Sequence, residues 1–137
     1  MITLILGKKG SGKTKRLIDM CNEAMVQSKG NVAFVEKDNT LTYSLKHSVR
    51  LVAADEYAIC GFDSFYGLIA GMCAGNYDIT DIFVDSTLKI GGDVEGLLAF
   101  VKKLTVLSEK ANTNVVMSVS ADPSEISEEI KQLATVI

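Results

Sequence analysis

Gly7-Lys8-Lys9-Gly10-Ser11-Gly12-Lys13-Thr14 is the stretch of this chain whose residue types and spacing are suited to chemistry. It satisfies the pattern G-x-x-x-x-G-K-[ST] at every fixed position. Glycines let the backbone wrap closely around a chain of phosphates and turn several N–H groups inward, and a helix that starts there adds its positive end. In such a cradle Lys13 reaches the β- and γ-phosphates and the Thr14 hydroxyl ligates Mg²⁺. Lys8 and Lys9 are either further phosphate contacts or solvated charges.

Asp85 is the second element of the pattern. A divalent ion on phosphates takes hard oxygen ligands, and a carboxylate at the end of an apolar strand next to the loop supplies one. The alternative for Asp85 is a cap on the segment that follows. Asp81, four residues earlier in the same strand, reads as a solvated edge position.

These residues need elements to hold them. Ile2-Thr3-Leu4-Ile5-Leu6 reads as a strand buried on both faces. After Gly12 the period changes to helical, with Leu17, Ile18, Cys21, Ala24 and Met25 in phase and Gly30 as the stop. Residues 31–35 form a second strand, 40–46 a short helix, and 49–53 a third, weaker strand. Asp63 or Ser64 caps an apolar helix to about Ala74, stopped by Gly75-Asn76. Residues 79–85 are a strand that emerges with Asp85. Asp93 caps a long helix carrying Leu97, Leu98, Val101, Leu104 and Leu107. Residues 115–119 are the next strand, and Asp122-Pro123-Ser124-Glu125 is a helix start. Apolar strands alternating with helices predict an α/β, three-layer α/β/α domain with a mainly parallel sheet, whose ligand crevice lies at the carboxyl edge of the strands.

Composition bounds the answer. The chain has 137 residues, 47% hydrophobic and 23% charged, with one proline and 11 glycines, which fits a single domain over 1–137. Its 14 Lys+Arg against 17 Asp+Glu give a net charge of −3, which argues against a nucleic-acid partner. Three cysteines at wide spacing and one histidine, His47, make neither a disulfide framework nor a zinc site. The thiols read as small buried hydrophobes in a reducing cytosol, and His47 as a surface side chain. The apolar start before Gly7 is too short for a signal-peptide core, and the longest uncharged run, 64–77, is shorter than the roughly 20 residues that span a bilayer. The expectation is a soluble, cytoplasmic protein without a membrane partner.

The loop ending in Lys13-Thr14, the apolar strand ending in Asp85-Ser86 and a later strand ending in small polar residues resemble the P-loop NTPases, in particular their RecA-like (ASCE-type) branch. The chain is also similar to short bacterial ATP-binding P-loop proteins. The resemblance runs from residue 1 to about 121 and implies a P-loop NTPase fold with ATP and Mg²⁺ as cofactors. In that branch a catalytic carboxylate lies just beyond the second strand. Phe34-Val35-Glu36-Lys37-Asp38 occupies that place, so the resemblance implies that Asp38, or else Glu36, orients the attacking water; a solvated turn is the alternative. Ser118 and Ser120 stand where the branch puts a polar sensor of the γ-phosphate.

Departures from the family shape the expected activity. Many hydrolytic members place a glutamate after the metal aspartate, where this chain has Ser86, so hydrolysis is expected to be slow or partner-stimulated. Ring-forming members lend an arginine to the neighbouring subunit, which makes a homo-oligomer or a protein partner the expected context. Arg50 is the arginine placed away from the loop helix, with Lys89 a poorer substitute. No asparagine is followed by lysine, so the guanine-selecting Asn-Lys-x-Asp is absent and adenine follows by elimination. One rival is a small-molecule kinase, with an acceptor pocket from Phe62, Phe65 and Tyr66 in the 57–77 region. It lacks the arginine-rich lid such enzymes close over the donor. The other is a non-catalytic nucleotide sensor whose apolar segment 57–74 packs against a partner.

Overall fold

A computed structural model of the chain describes residues 1–38 and 45–137, so most of the helix expected over 40–46 lies outside the described residues. In chain order the elements are β1 (Ile2–Gly7), α1 (Lys13–Gln27), β2 (Asn31–Glu36), β3 (Arg50–Ala53), α2 (Phe62–Gly75), β4 (Ile79–Val84), α3 (Thr87–Gly91), α4 (Leu97–Ala111), β5 (Asn114–Ser120), α5 (Glu128–Leu133) and β6 (Thr135–Val136). The strands form one six-stranded sheet in the order β3-β2-β4-β5-β1-β6. Every strand pair in it is parallel.

Side chains alternate across the sheet and feed two cores. On one face Ile2, Leu4, Ala33, Val35, Ile82, Val84, Val115 and Met117 pack with Phe65 and Ile69 of α2 and with Phe100, Val101 and Leu104 of α4. On the other, Ile5, Val32, Phe34, Phe83 and Val116 pack with Leu17 and Cys21 of α1 and with Leu45 and Val49. The strands therefore carry apolar residues on both sides, as parallel strands between helical layers must. Each large side chain fully withdrawn from water, such as Phe34 or Leu4 at 0% exposure, contributes about 1.5–3 kcal/mol.

Several boundaries differ from the sequence-based expectation for identifiable reasons. α2 starts at Phe62 behind Gly61, whose φ of 94° no side-chain cap accompanies, so neither Asp63 nor Ser64 is the cap. Ser64 instead turns back, its Oγ donating to the Cys60 carbonyl (2.7 Å) and accepting the Cys60 amide (3.0 Å). Asp93 stands before a 3-10 turn, Val94–Gly96, without a side-chain cap bond, and α4 then starts behind Gly96, so Asp93 does not cap the long helix. Asp122 and Glu125 do form a reciprocal capping box, but on the 3-10 turn Pro123–Glu125; Ser127 caps the helix that follows. Two short elements, α3 and β6, carry too few residues to show a period. No described helix is long and apolar enough to cross a membrane. Cys21 and Cys73 are buried as expected, whereas Cys60 is exposed, because it lies in the turn before α2 and outside either core.

Candidate functional site

The 7–14 loop joins the carboxyl end of β1 to the amino end of α1. Gly10 and Gly12 have φ of 82° and 90°, a region costly for any residue with a Cβ. At Gly7 the constraint is proximity: a Cβ there would lie 2.5 Å from Ser11 Oγ. The turn closes through the Ser11 amide, which donates to the Lys8 carbonyl at 3.1 Å. α1 then begins at Lys13 with no side-chain cap and no acidic residue in its first turn. Nothing negative on the helix itself competes for its positive end, which suits the site to an anion.

Asp85 sits one residue past β4, and its amide donates to the Val35 carbonyl of β2 at 2.9 Å. Its carboxylate is buried and is held from two sides. The Thr14 hydroxyl stands 3.1 Å from both Oδ1 and Oδ2, and Ser118 Oγ donates to Oδ1 at 2.8 Å. Ser118 in turn accepts the Ser86 amide at 2.8 Å. Ser118, itself 1% exposed, thus spends its hydroxyl on fixing Asp85 and the turn after it. Ser120, aligned with Gly7 across the β1–β5 pair, is exposed at the strand end.

Around this cluster lies a cleft of about 420 Å³, lined by Lys9, Gly10, Gly12, Lys13 and Thr14 on one side and by Asp85, Ser86, Lys89, Ser118 and Ser120 on the other. Lys13 folds over its own loop, its ammonium donating to the Lys8 carbonyl at 2.7 Å. Burial lowers its pKa below the usual lysine value, against the opposing pull of Asp85. Thr14 and Asp85 offer a hydroxyl and a carboxylate, the donor set of a hard ion that keeps most of its waters. Among the described residues no group of three or more His, Cys, Asp or Glu exists to cage a metal in protein ligands alone. The residues present therefore fit Mg²⁺ held through one or two protein oxygens and a phosphate chain.

The other expected residues are placed as follows. Glu36 ends β2, buried at 2% exposure, and the residue before it receives the Asp85 amide, so the two acidic positions are neighbours on adjacent strands. Asp38 is exposed two residues further on, beside Lys37, whose pKa is raised chiefly by its hydrogen bond to Asp55 and slightly by Asp38. Neither Glu36 nor Asp38 lines the cleft. Lys8 is not among its lining residues; the Asp122 carboxyl, whose pKa is lowered chiefly by its hydrogen bonds from Ser124, also feels the Lys8 charge. Arg50 begins β3 and so stands at the amino edge of the sheet, opposite the cleft. Phe65 is core, and the Phe62 ring is pressed against Gly91 and Gly96, so neither aromatic opens into an acceptor pocket. Asp81 hydrogen-bonds Thr80 (2.7 Å) and Asn114 (3.3 Å) near the start of β4.

Sequence reasoning did not find the turn after Asp85. Ser86 adopts φ 59° and starts α3, and a serine in that conformation carries no signal of the kind glycine or asparagine gives. Compared with known proteins, the sequence matches no family model and no curated protein.

Proposed function

We propose that this chain binds ATP with Mg²⁺ in the cleft at the carboxyl edge of its sheet, as a RecA-like P-loop NTPase with slow or partner-stimulated hydrolysis. The observation that carries the reading is the meeting of Thr14 with both oxygens of Asp85, residues 71 positions apart in sequence, directly beside an uncapped helix start. The strand order supports it as well: β5 lies between the loop strand β1 and the Asp85 strand β4, as the RecA-like branch requires.

In this reading the loop amides and Lys13 bind the phosphates, and Lys13 exchanges a neutral carbonyl for charged phosphate oxygens, a stronger partner. Thr14 and Asp85 hold the metal, which when bound neutralises charge on the β- and γ-phosphates. Glu36, next to Asp85 on β2, is the better placed of the two acidic residues to orient water. A second reading, nucleotide sensing without turnover, has one observation in its favour: among the described residues Asp85 is the one carboxylate in the cleft walls.

The test is Lys13→Ala. Calorimetry with Mg·ATP should show affinity reduced by roughly thirtyfold or more, with circular dichroism unchanged. Unchanged affinity would remove the proposal. Phosphate release by the wild-type protein, followed at high protein concentration, separates the hydrolytic reading from the sensing one.

A further inference from the structure

We infer that the groove between α2 and α4 docks an acidic amphipathic helix of a partner protein. The inference is independent of the proposed nucleotide site, which lies at the carboxyl edge of the sheet.

The groove holds about 500 Å³ and its two walls differ in character. Tyr66, Ala70 and Ala74 form the α2 wall, with Tyr77 just beyond the helix end, and no residue from 64 to 77 is charged. Val106, Leu107 and Lys110 form the α4 wall. Tyr77 is 92% exposed and Val106 67%, so two large apolar side chains stand in water at one groove. Such clustering, with tyrosine in it, marks interaction surfaces rather than ordinary surface.

The charges of α4 are sorted by flank. Lys103 and Lys110, about two turns apart, share the side that carries Leu107. Lys103 lies over the Tyr66 ring, 4.5 Å from its centre, so both cations stand at the groove. Neither takes part in a salt bridge among the described residues. Lys102 and Glu109 fall on the other flank, where Lys102 pairs with Glu129 at 3.1 Å and Glu109 lines a separate cavity with Gln132. The groove therefore combines an apolar floor with positive charge along one wall.

Charge complementarity decides the occupant. A second copy docked about a twofold axis would set the same patch on both sides, cation against cation. The backbone groups of α2 and α4 are spent within the helices, so no extended strand can add to them. A partner helix with apolar side chains at i, i+4 and i+7 in the groove and carboxylates facing the lysines meets both demands.

The experiment pans a phage-displayed library of helical peptides on the full chain. Enriched sequences are then labelled with fluorescein and measured by anisotropy at about 0.15 M salt, where distant charges are screened. They should carry an apolar i, i+4, i+7 stripe flanked by Asp or Glu. The double variant Lys103→Glu/Lys110→Glu should weaken their binding at least about tenfold, and a peptide with Lys in place of its acidic residues should recover it. Ala74 is exposed, so Ala74→Arg fills the groove without touching the core and should weaken binding at least about tenfold as well. Lys29→Glu, beyond the end of α1, should change it less than about twofold. Enrichment of no sequence, enrichment of uncharged or basic ones, or binding that the groove variants leave unchanged would overturn the inference. So would binding of the wild-type protein to phosphatidylserine vesicles that the same lysine substitutions abolish, which would assign the face to a lipid surface.

Discussion

Thr87 begins α3 with 0% exposure, and its hydroxyl has no hydrogen-bond partner among the described residues. A buried hydroxyl without a partner carries its full desolvation cost. Thr87→Val keeps the shape and removes the group, so it should raise stability by about 1 kcal/mol, seen as a rise in Tm of a few degrees. A fall in Tm would show that the hydroxyl is satisfied after all. At this scale the sequence was informative where the chemistry is local. Lys13, Thr14 and Asp85 could be singled out because they stand in a short patterned run and at a strand end, and the fold brings all three around one cleft. The burial of Glu36 and the bonds of Ser118 could not, since both depend on which strands are neighbours. The unpartnered hydroxyl of Thr87 has no sequence signature at all.

Among the elements, the long ones were legible because each buries a stripe or a face over several turns or residues. The end of α1 is instructive. The sequence pattern makes Gly30 the helix stop, yet the helix ends at Gln27 and Ser28 caps it, its amide bonding the Ala24 carbonyl at 2.7 Å. Gly30 is demanded by something else: a Cβ there would collide with the backbone carbonyl of Asp78, the same carbonyl that accepts the Asn31 amide at 2.7 Å. The glycine lets the entry to β2 lie against the entry to β4. Gly30→Ala should therefore cost about 2 kcal/mol, lowering Tm by about 5 °C, without weakening nucleotide binding, because the strain falls at the amino edge of the sheet. A thermal melt unchanged by the substitution would contradict that account.

For the molecule as a whole, a parallel α/β sandwich followed from the alternation of apolar strands with helices, but the order of the strands did not. Placing β5 between β1 and β4 is a choice among right-handed crossovers that all satisfy the same local patterns. Thiol chemistry probes the assembled molecule directly. Burial pushes the Cys21 thiol up to about 12, with the charge of Asp81 adding to it, and burial also raises Cys73 against an opposing hydrogen bond from Thr113. A maleimide should therefore modify Cys60 in the native state and reach Cys21 and Cys73 only on unfolding. Raising the pH to about 9 should not recruit Cys21, because its thiolate does not form until several pH units higher than a free cysteine's. Native labelling of two or more sites would refute the packing described for α1 and α2.

The position of Cys60 also makes it useful. It precedes Gly61, whose amide holds the Ile90 carbonyl one residue beyond Lys89, with Phe62 wedged against the same helix. A fluorophore attached to this thiol sits at the joint between the cleft and the outer helical layer, so its emission would turn occupancy of the proposed site into an optical signal without disturbing either core.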